Sequence, residues 1–207
     1  MARSDPVARF DFDGETVRLY LSADDVELLD SLTEQFIELL QADQPEHPSA
    51  DEAEPEDPFA LWEADLAESP DEPEELTDPA LQRLFPNPYP HDPAAASDHR
   101  RYSEGEQRRL KLAQAATVRE ALHGNPVIVP MAQVPAWIKT LNSLRLVLAS
   151  RLGVDDEESM EQLQLLPDQD PRSVLAAIMD WLAYLQSVII ELIDDGALHD
   201  VAHDDET

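Results

Sequence analysis

The sequence predicts a mainly α-helical protein, a helical bundle with an N-terminal β-hairpin that is interrupted by a disordered acidic linker. Three observations predict this class: apolar residues recur at helical spacing in three long segments, an Asp-Gly pair separates two alternating runs, and acid and proline dominate residues 43–78. The chain has 207 residues, of which 43% are hydrophobic, so it can form one domain with a buried core.

Residues 1–42 are predicted to form the β-hairpin and one helix as part of the single domain. Alternating apolar residues flank Asp13-Gly14, a pair favoured in hairpin turns because such turns need positive φ angles. An isolated hairpin is marginally stable, so another element must cover its apolar face. Ser22 is a suitable N-cap for a helix that begins directly after it and ends near Gln41.

Residues 79–195 are predicted to form the helical remainder of the domain. Ser103 and Glu106 match a capping box, which predicts a helix from Ser103 to His123. The β-branched run at residues 125–130 is flanked by proline and favours a third short strand beside the hairpin.

Two further helices are predicted in the C-terminal half. The first is opened by Pro135 and ended by Gly153, and the second covers residues 173–194 and is closed by Gly196. The second is apolar over a wide arc, so we expect it in the centre of the bundle. Residues 196–207 are then predicted to be an acidic tail.

Residues 43–78 form the predicted acidic, proline-rich linker. They hold fifteen acidic residues, six prolines and no Lys or Arg, a composition that cannot bury enough apolar surface to offset chain entropy. Within the linker, the segment 58–67 carries apolar residues at the i, i+3, i+7 spacing of a helix that binds in a groove. These residues are Phe59, Trp62 and Leu66. We expect these side chains to become buried, either on the protein's own core or in the groove of a partner, and the sequence leaves both interpretations open.

The strongly negative charge of the chain disfavours negatively charged partners. The net charge is −31, so the chain as a whole is repelled by DNA and by anionic membranes. Six basic residues nevertheless fall within twenty positions and are predicted to form a patch for an anion, for DNA or for an acidic protein surface. They are Arg100, Arg101, Arg108, Arg109, Lys111 and Arg119. The alternative is that the acidic linker neutralises this patch.

Two polar residues on the Pro135 helix are predicted to be structural. Asn142 and Arg145 lie three positions apart, so both could face inward as buried, hydrogen-bonded side chains. The last helix offers Asp180 and Glu191 as partners.

The sequence contains no motif that predicts catalysis. With no cysteine, disulfides and thiolate chemistry are excluded, and no phosphate-binding glycine loop or His-Glu-x-x-His motif is present. His199 and His203 are spaced i, i+4 near several aspartates, which makes a metal-dependent enzyme the second alternative. The favoured interpretation is a solvated tail, so we predict no enzyme, no cofactor and no metal site.

The N-terminus lacks the apolar core of a signal peptide, and no uncharged apolar run reaches the ~18 residues of a membrane span. The sequence therefore predicts a cytoplasmic protein that does not enter a membrane.

Two stretches carry a family resemblance: LTDPALQRLFPNPYPHDPAAASDHRRYSEGEQRRLKLAQ and VPAWIKTLNSLRLVLASRLGV. The landmarks in the first are Asp78, Pro79, Leu81, Arg83, Leu84, Pro86, Tyr89, Asp92, Arg100, Arg101 and Lys111. Those in the second are Trp137, Leu141, Asn142, Leu144, Arg145, Leu146, Leu148, Arg151, Leu152 and Gly153. On these residues the chain resembles an actinobacterial domain-of-unknown-function family, that of the AosR-type oxidative-stress transcriptional regulators.

The resemblance implies a non-enzymatic, cytoplasmic regulator that acts in transcription and the stress response by contact with a sigma factor or RNA polymerase. In the family's described member, oxidation of a cysteine pair is the sensing step, and the absence of cysteine removes that step here. The first alternative is a structural, oligomeric helical domain whose last helix is buried between subunits.

Overall fold

The structure is a computed structural model that describes residues 9–42, 76–167 and 169–204. The predicted linker, apart from its last three residues, lies outside the described residues, and so do Phe59, Trp62 and Leu66. The predicted mainly α class with a sheet near the N-terminus is confirmed.

Three short strands form an antiparallel sheet in the order β1-β2-β3. They are β1 (Arg9–Phe12), β2 (Thr16–Tyr20) and β3 (Val127–Pro130). Around the sheet lie α1 (Ala23–Ala42), α2 (Pro79–Leu84), α3 (Pro93–His99), α4 (Gly105–Ala121), α5 (Val134–Leu152), α6 (Glu157–Gln164) and α7 (Pro171–Asp204). A π-helical turn (Arg100–Glu104) joins α3 to α4, and a 3-10 turn (Met131–Gln133) precedes α5.

The hairpin turns at the predicted Asp-Gly pair. Gly14 has a φ of 90°, and the Asp13 carboxylate accepts hydrogen bonds from the backbone N–H of Glu15 at 3.1 Å and of Thr16 at 2.8 Å. Phe12 lies opposite Val17 and the Asp13 N–H donates to the Thr16 carbonyl at 3.3 Å, so the two loop residues are Gly14 and Glu15, one position later than the predicted Asp13 and Gly14. The predicted third strand is also confirmed, since β3 pairs with β2.

The first helix begins where the sequence predicts. Ser22 Oγ accepts a hydrogen bond from the Asp25 N–H at 3.1 Å, while the Asp25 carboxylate accepts one from the Ser22 N–H at 3.1 Å. This reciprocal pair satisfies two N–H groups at the start of α1. Leu29 and Leu40 bury the inner face of α1.

Helix α5, and not the last helix, is the centre of the bundle. It packs against α7, α4, α2 and α1, and Trp137 and Leu141 on it are fully buried. Small buried residues such as Ser143 let neighbouring helices approach α5 on several sides. The prediction that the last helix is central is therefore wrong: α7 buries only one face, which includes Leu182 and Leu185.

The helix predicted to begin at Ser103 begins earlier. Asp92 caps α3 by accepting from the Ala95 N–H at 3.1 Å, and the chain stays helical through the π turn into α4. Ser103 lies inside this helical stretch and donates to the His99 carbonyl at 2.6 Å, so it is not an N-cap. The stronger local start is Asp92 followed by proline at the first helical position.

The last helix is longer than predicted, because it continues through Gly196 to Asp204. A single glycine costs a helix about 1 kcal/mol relative to alanine, which does not force it to end. By length and composition, residues Pro171–Asp194 of α7 could also cross a membrane; mostly buried core helices share this property, whereas 22% of the apolar window in α7 is buried. In this fold one face of that stretch covers α5.

Candidate functional site

The six basic residues of the predicted patch do not form one exposed surface. Arg108 is only 4% exposed, so its assignment to an exposed patch is wrong. Its guanidinium donates to the Leu40 carbonyl at 2.7 Å and to Glu104 at 2.7 Å, and it lies 4.9 Å from the centre of the Phe85 ring. These contacts join α4 to the end of α1 and give Arg108 a structural role.

Two other arginines of the predicted patch are paired with carboxylates. Arg119 donates to Asp30 at 2.9 Å and to Glu34 at 2.6 Å, and these hydrogen bonds raise the pKa of Arg119. Arg109 pairs with Glu106 at 2.7 Å. The alternative interpretation was that the acidic linker neutralises the basic patch. The carboxylates that pair with Arg109 and Arg119 lie instead on α4 and α1 of the folded domain.

The remaining three residues of the predicted patch lie in different settings. Arg101 is exposed and lies 5.6 Å from the centre of the Tyr102 ring, and Arg100 is half-buried at the wall of a pocket. Lys111 is half-buried between α4 and α5, where its ammonium lies 3.4 Å from Ser143 Oγ.

Asn142 and Arg145 on α5 were predicted to be buried, with Asp180 or Glu191 as hydrogen-bond partners. The structure differs in the burial of Asn142 and in the partner of Arg145. Asn142 is exposed, which contradicts its predicted burial. Arg145 is half-buried and donates to Gln186 Oε1 on α7 at 2.9 Å. Asp180 and Glu191 are exposed, because α7 turns Gln186 toward α5 and those two residues away from it.

The histidines of the metal hypothesis lie in the last three turns of α7, where the structure describes the backbone but not the side chains. His199 and His203 therefore remain a prediction. Within the part of the chain that the structure describes, no three His, Asp or Glu side chains are grouped to hold a metal ion.

A pocket of about 250 Å³ lies between α2, the π turn and α4. Phe85 and Ala96 contribute apolar surface to it, and a hydroxyl–imidazole pair that the sequence pattern did not predict lies in its wall. Ser103 Oγ lies 3.0 Å from His99 Nε2, a contact that their i, i+4 spacing permits. Because the hydroxyl also donates to the His99 carbonyl at 2.6 Å, its proton is not directed at the imidazole as a nucleophile–base pair requires.

The outer side of α7 presents an apolar surface, which we call the α7 outer stripe. It consists of Val174, Ala177, Trp181, Tyr184 and Val188, at alternating spacings of three and four residues. Val174 is 59% and Tyr184 47% exposed, and Trp181 and Val188 are half-buried. This spacing places the five side chains along one side of the helix.

The sheet lies beside the α7 outer stripe. The Phe10 ring on the edge strand β1 contacts the Tyr184 ring edge-on, with 6.0 Å between the ring centres. Asp180 and Glu191 are exposed next to the stripe and give its border a negative charge. An exposed apolar strip with a charged border has the features of a protein docking surface.

The architecture is that of a helical domain with a small antiparallel sheet and an exposed apolar helix face. Residues 7–193 match the family described as a domain of unknown function, DUF2017, and the chain belongs to this family. No curated protein and no solved structure matches the chain. The family description names no activity, and it carries neither the AosR-type identity nor the actinobacterial origin that the sequence suggested.

Proposed function

We propose that the protein is a non-enzymatic regulatory protein that acts by protein–protein contact, and that the α7 outer stripe is its contact surface. The observation that carries the proposal is the exposure of Val174 and Tyr184 on a helix whose opposite face is already buried against α5. Apolar side chains in this arrangement gain free energy when a partner removes them from water.

The charge around the stripe favours a different protein over a second copy of this chain. Asp180 and Glu191 border the stripe, and the chain carries a net charge of −31, so two copies would repel each other. The partner surface that fits is apolar at its centre and basic at its rim. An anionic membrane is disfavoured by the same charge.

The resemblance to AosR-type regulators favours the cytoplasmic transcription machinery, a sigma factor or RNA polymerase, as the source of this partner. It also favours a role in the oxidative-stress response, in which sensing would belong to another protein because this chain has no cysteine. We do not propose DNA as a ligand, because two arginines of the predicted patch are paired with carboxylates and a third is buried.

The test is affinity capture from host extract with tagged full-length chain, with and without peroxide, followed by direct binding to the purified transcription protein that is recovered. The test variant is Val174→Glu with Tyr184→Glu, which places two charges in the stripe. The matched control is Ile128→Glu, since Ile128 is 50% exposed on the sheet and lies outside the stripe. A second variant changes Phe59, Trp62 and Leu66 to Ala and tests the predicted docking segment separately.

We expect the wild type and the Ile128 control to recover a sigma factor or polymerase subunits, and the stripe variant to lose them. Equal binding by the stripe variant would contradict the contact surface. Recovery of no transcription protein, together with a dimer that light scattering detects and the stripe variant dissociates, would instead favour the structural, oligomeric alternative.

A further inference from the structure

The pocket beside the π turn, which we call the π-turn pocket, lies near both ends of the predicted linker. Leu76 lines the pocket, and its carbonyl accepts a hydrogen bond from Gln82 Nε2 at 2.6 Å. Near the other end of the linker, Arg108 donates to the Leu40 carbonyl at 2.7 Å, and its guanidinium lies 4.9 Å from the centre of the Phe85 ring. Because Phe85 also lines the pocket, the chain leaves the bundle and returns to it close to this pocket.

The segment 58–67 of the linker is tethered close enough to reach the π-turn pocket from both directions. Ten positions separate Leu66 from Leu76, and seventeen separate Ala42 from Phe59. The shorter connection alone can span about 33–36 Å when it is extended. A segment on tethers of this length is presented to a nearby site at an effective concentration on the order of millimolar. Any outside ligand of the pocket would therefore compete with this segment.

The apolar part of the pocket suits the apolar residues of the segment. Phe85, Pro86 and Ala96 line the pocket, which has a volume of about 250 Å³. The segment carries Phe, Trp and Leu at the i, i+3, i+7 spacing described above. Placing an aromatic side chain of the segment in the pocket removes apolar surface of both from water, which favours the contact.

The charges at the pocket also match those of the segment. Residues 57–68 contain four acidic residues and no basic residue. Arg100 lines the pocket, and Arg101 is exposed directly after it in the chain. Glu104 lies in the same wall, but it pairs with Arg108 at 2.7 Å, so its negative charge is compensated. An acidic segment therefore meets a favourable electrostatic environment there.

We propose that the segment 58–67 binds in the π-turn pocket of its own chain, with Trp62 as its central anchor. Its apolar residues pack against Phe85 and Ala96, and its carboxylates lie toward Arg100. This selects the internal site from the two interpretations that the sequence leaves open. It also makes the segment an internal competitor, because a partner that uses the segment or the pocket must first displace it. The contact is independent of the α7 outer stripe.

The first experiment follows Trp62 by fluorine NMR of the full chain labelled with 5-fluorotryptophan. The chain has three tryptophans, and Trp62→Phe identifies the line of Trp62. The test variant is Gln107→Glu, which places a negative charge in the pocket wall at almost unchanged side-chain size. The matched control is Gln114→Glu, which makes the same change on α4 but outside the pocket lining.

We expect the Trp62 line of the wild type and of the Gln114 control to lack the H₂O/D₂O shift of an exposed indole. In Gln107→Glu the line should move toward its position in a free peptide of residues 55–70. A solvent-exposed Trp62 line in the wild type would overturn the proposal, and its burial only after addition of host extract would assign the segment to a partner. A buried line that Gln107→Glu leaves unchanged would place the segment elsewhere on the protein and overturn the π-turn pocket as its site.

A dye-labelled peptide of residues 55–70, added to the full chain, supplies a second readout by fluorescence anisotropy. The full chain with Phe59, Trp62 and Leu66 changed to Ala should bind the peptide at least about tenfold more tightly than the wild type, because its pocket lacks the internal competitor. Adding Gln107→Glu to this variant should remove the gain, and adding Gln114→Glu should not. Equal affinity of the wild type and the alanine variant, or binding by neither, would refute the internal contact.

Discussion

Arg108 donates a hydrogen bond from Nη1 to the backbone carbonyl of Leu40 across 2.7 Å, and thereby joins α4 to the last turn of α1. Carbonyls in the last turn of a helix have no partner within that helix, and a cation there also interacts favourably with the helix dipole. The same guanidinium pairs with Glu104, so one buried charge satisfies two acceptors.

Replacing Arg108 with Met should lower the free energy of unfolding by about 2–4 kcal/mol, because it leaves Glu104 and the Leu40 carbonyl without their partner. Urea denaturation measures this change. Arg109→Met is the control: that side chain is exposed, and its loss should cost less than about 1 kcal/mol. Similar losses for both variants would contradict the structural role of Arg108.

Two buried threonines should respond in opposite directions to replacement by valine. Thr140 is buried on α5, and its hydroxyl has no hydrogen-bond partner among the described residues, so Thr140→Val should stabilise the protein by about 1 kcal/mol. Thr33 is equally buried but donates to the Leu29 carbonyl at 2.7 Å, so Thr33→Val should destabilise it by about 0.5–1 kcal/mol. Paired denaturation curves test both, and a loss of stability in Thr140→Val would show that its hydroxyl is satisfied.

Two glycines with open space around them should also respond oppositely to alanine. Gly153 ends α5 with a φ of 70°, so Gly153→Ala should cost about 1–2 kcal/mol from backbone strain alone. Gly105 begins α4 with a φ of −57°, so Gly105→Ala should stabilise the helix by about 0.5–1 kcal/mol. Thermal unfolding of the two variants gives the comparison, and a shift of the same sign in both would contradict it.

The carboxyl of Asp170 should titrate well below its ordinary range. Hydrogen bonds from the Arg172 side chain and then from its backbone N–H lower the pKa of Asp170 from 3.8 to about 2. Because the folded-state pKa is depressed, this carboxylate contributes stability that is present above pH ~4 and is lost as the pH falls toward 2. Carbon NMR of the carboxyl measures the midpoint, which Arg172→Met should raise. A midpoint near 3.8 in the wild type would contradict this geometry.

The sequence predicted elements whose signals are local. The turn at Asp13-Gly14, the N-cap at Ser22 and the stop at Gly153 each depend on a few neighbouring residues, and the structure contains all three. The predicted helix start at Ser103 was wrong because another local signal, the N-cap at Asp92, starts the helical stretch earlier. Competition between two acceptable caps is decided by packing that the sequence does not display.

The location of the candidate sites depends on long-range packing and could be predicted only in part. The wide apolar arc of α7 was visible in the sequence. Whether α7 lies in the centre of the bundle or at its surface depends on how the other helices pack, and here they pack around α5. The burial of Arg108 depends on the end of α1, which lies 68 residues away in the chain. No local pattern reports such a separation, so six nearby basic residues were predicted to be one patch.

The two borders of the acidic tract are both held by arginines of the bundle: Leu40 by Arg108, and Asp78 by Arg151 at 2.6 Å. Arg108 lies on α4 and Arg151 on α5, so each of two helices that pack against each other holds one border. The positions at which the described chain leaves the bundle after α1 and returns to it before α2 therefore depend on these two arginine contacts.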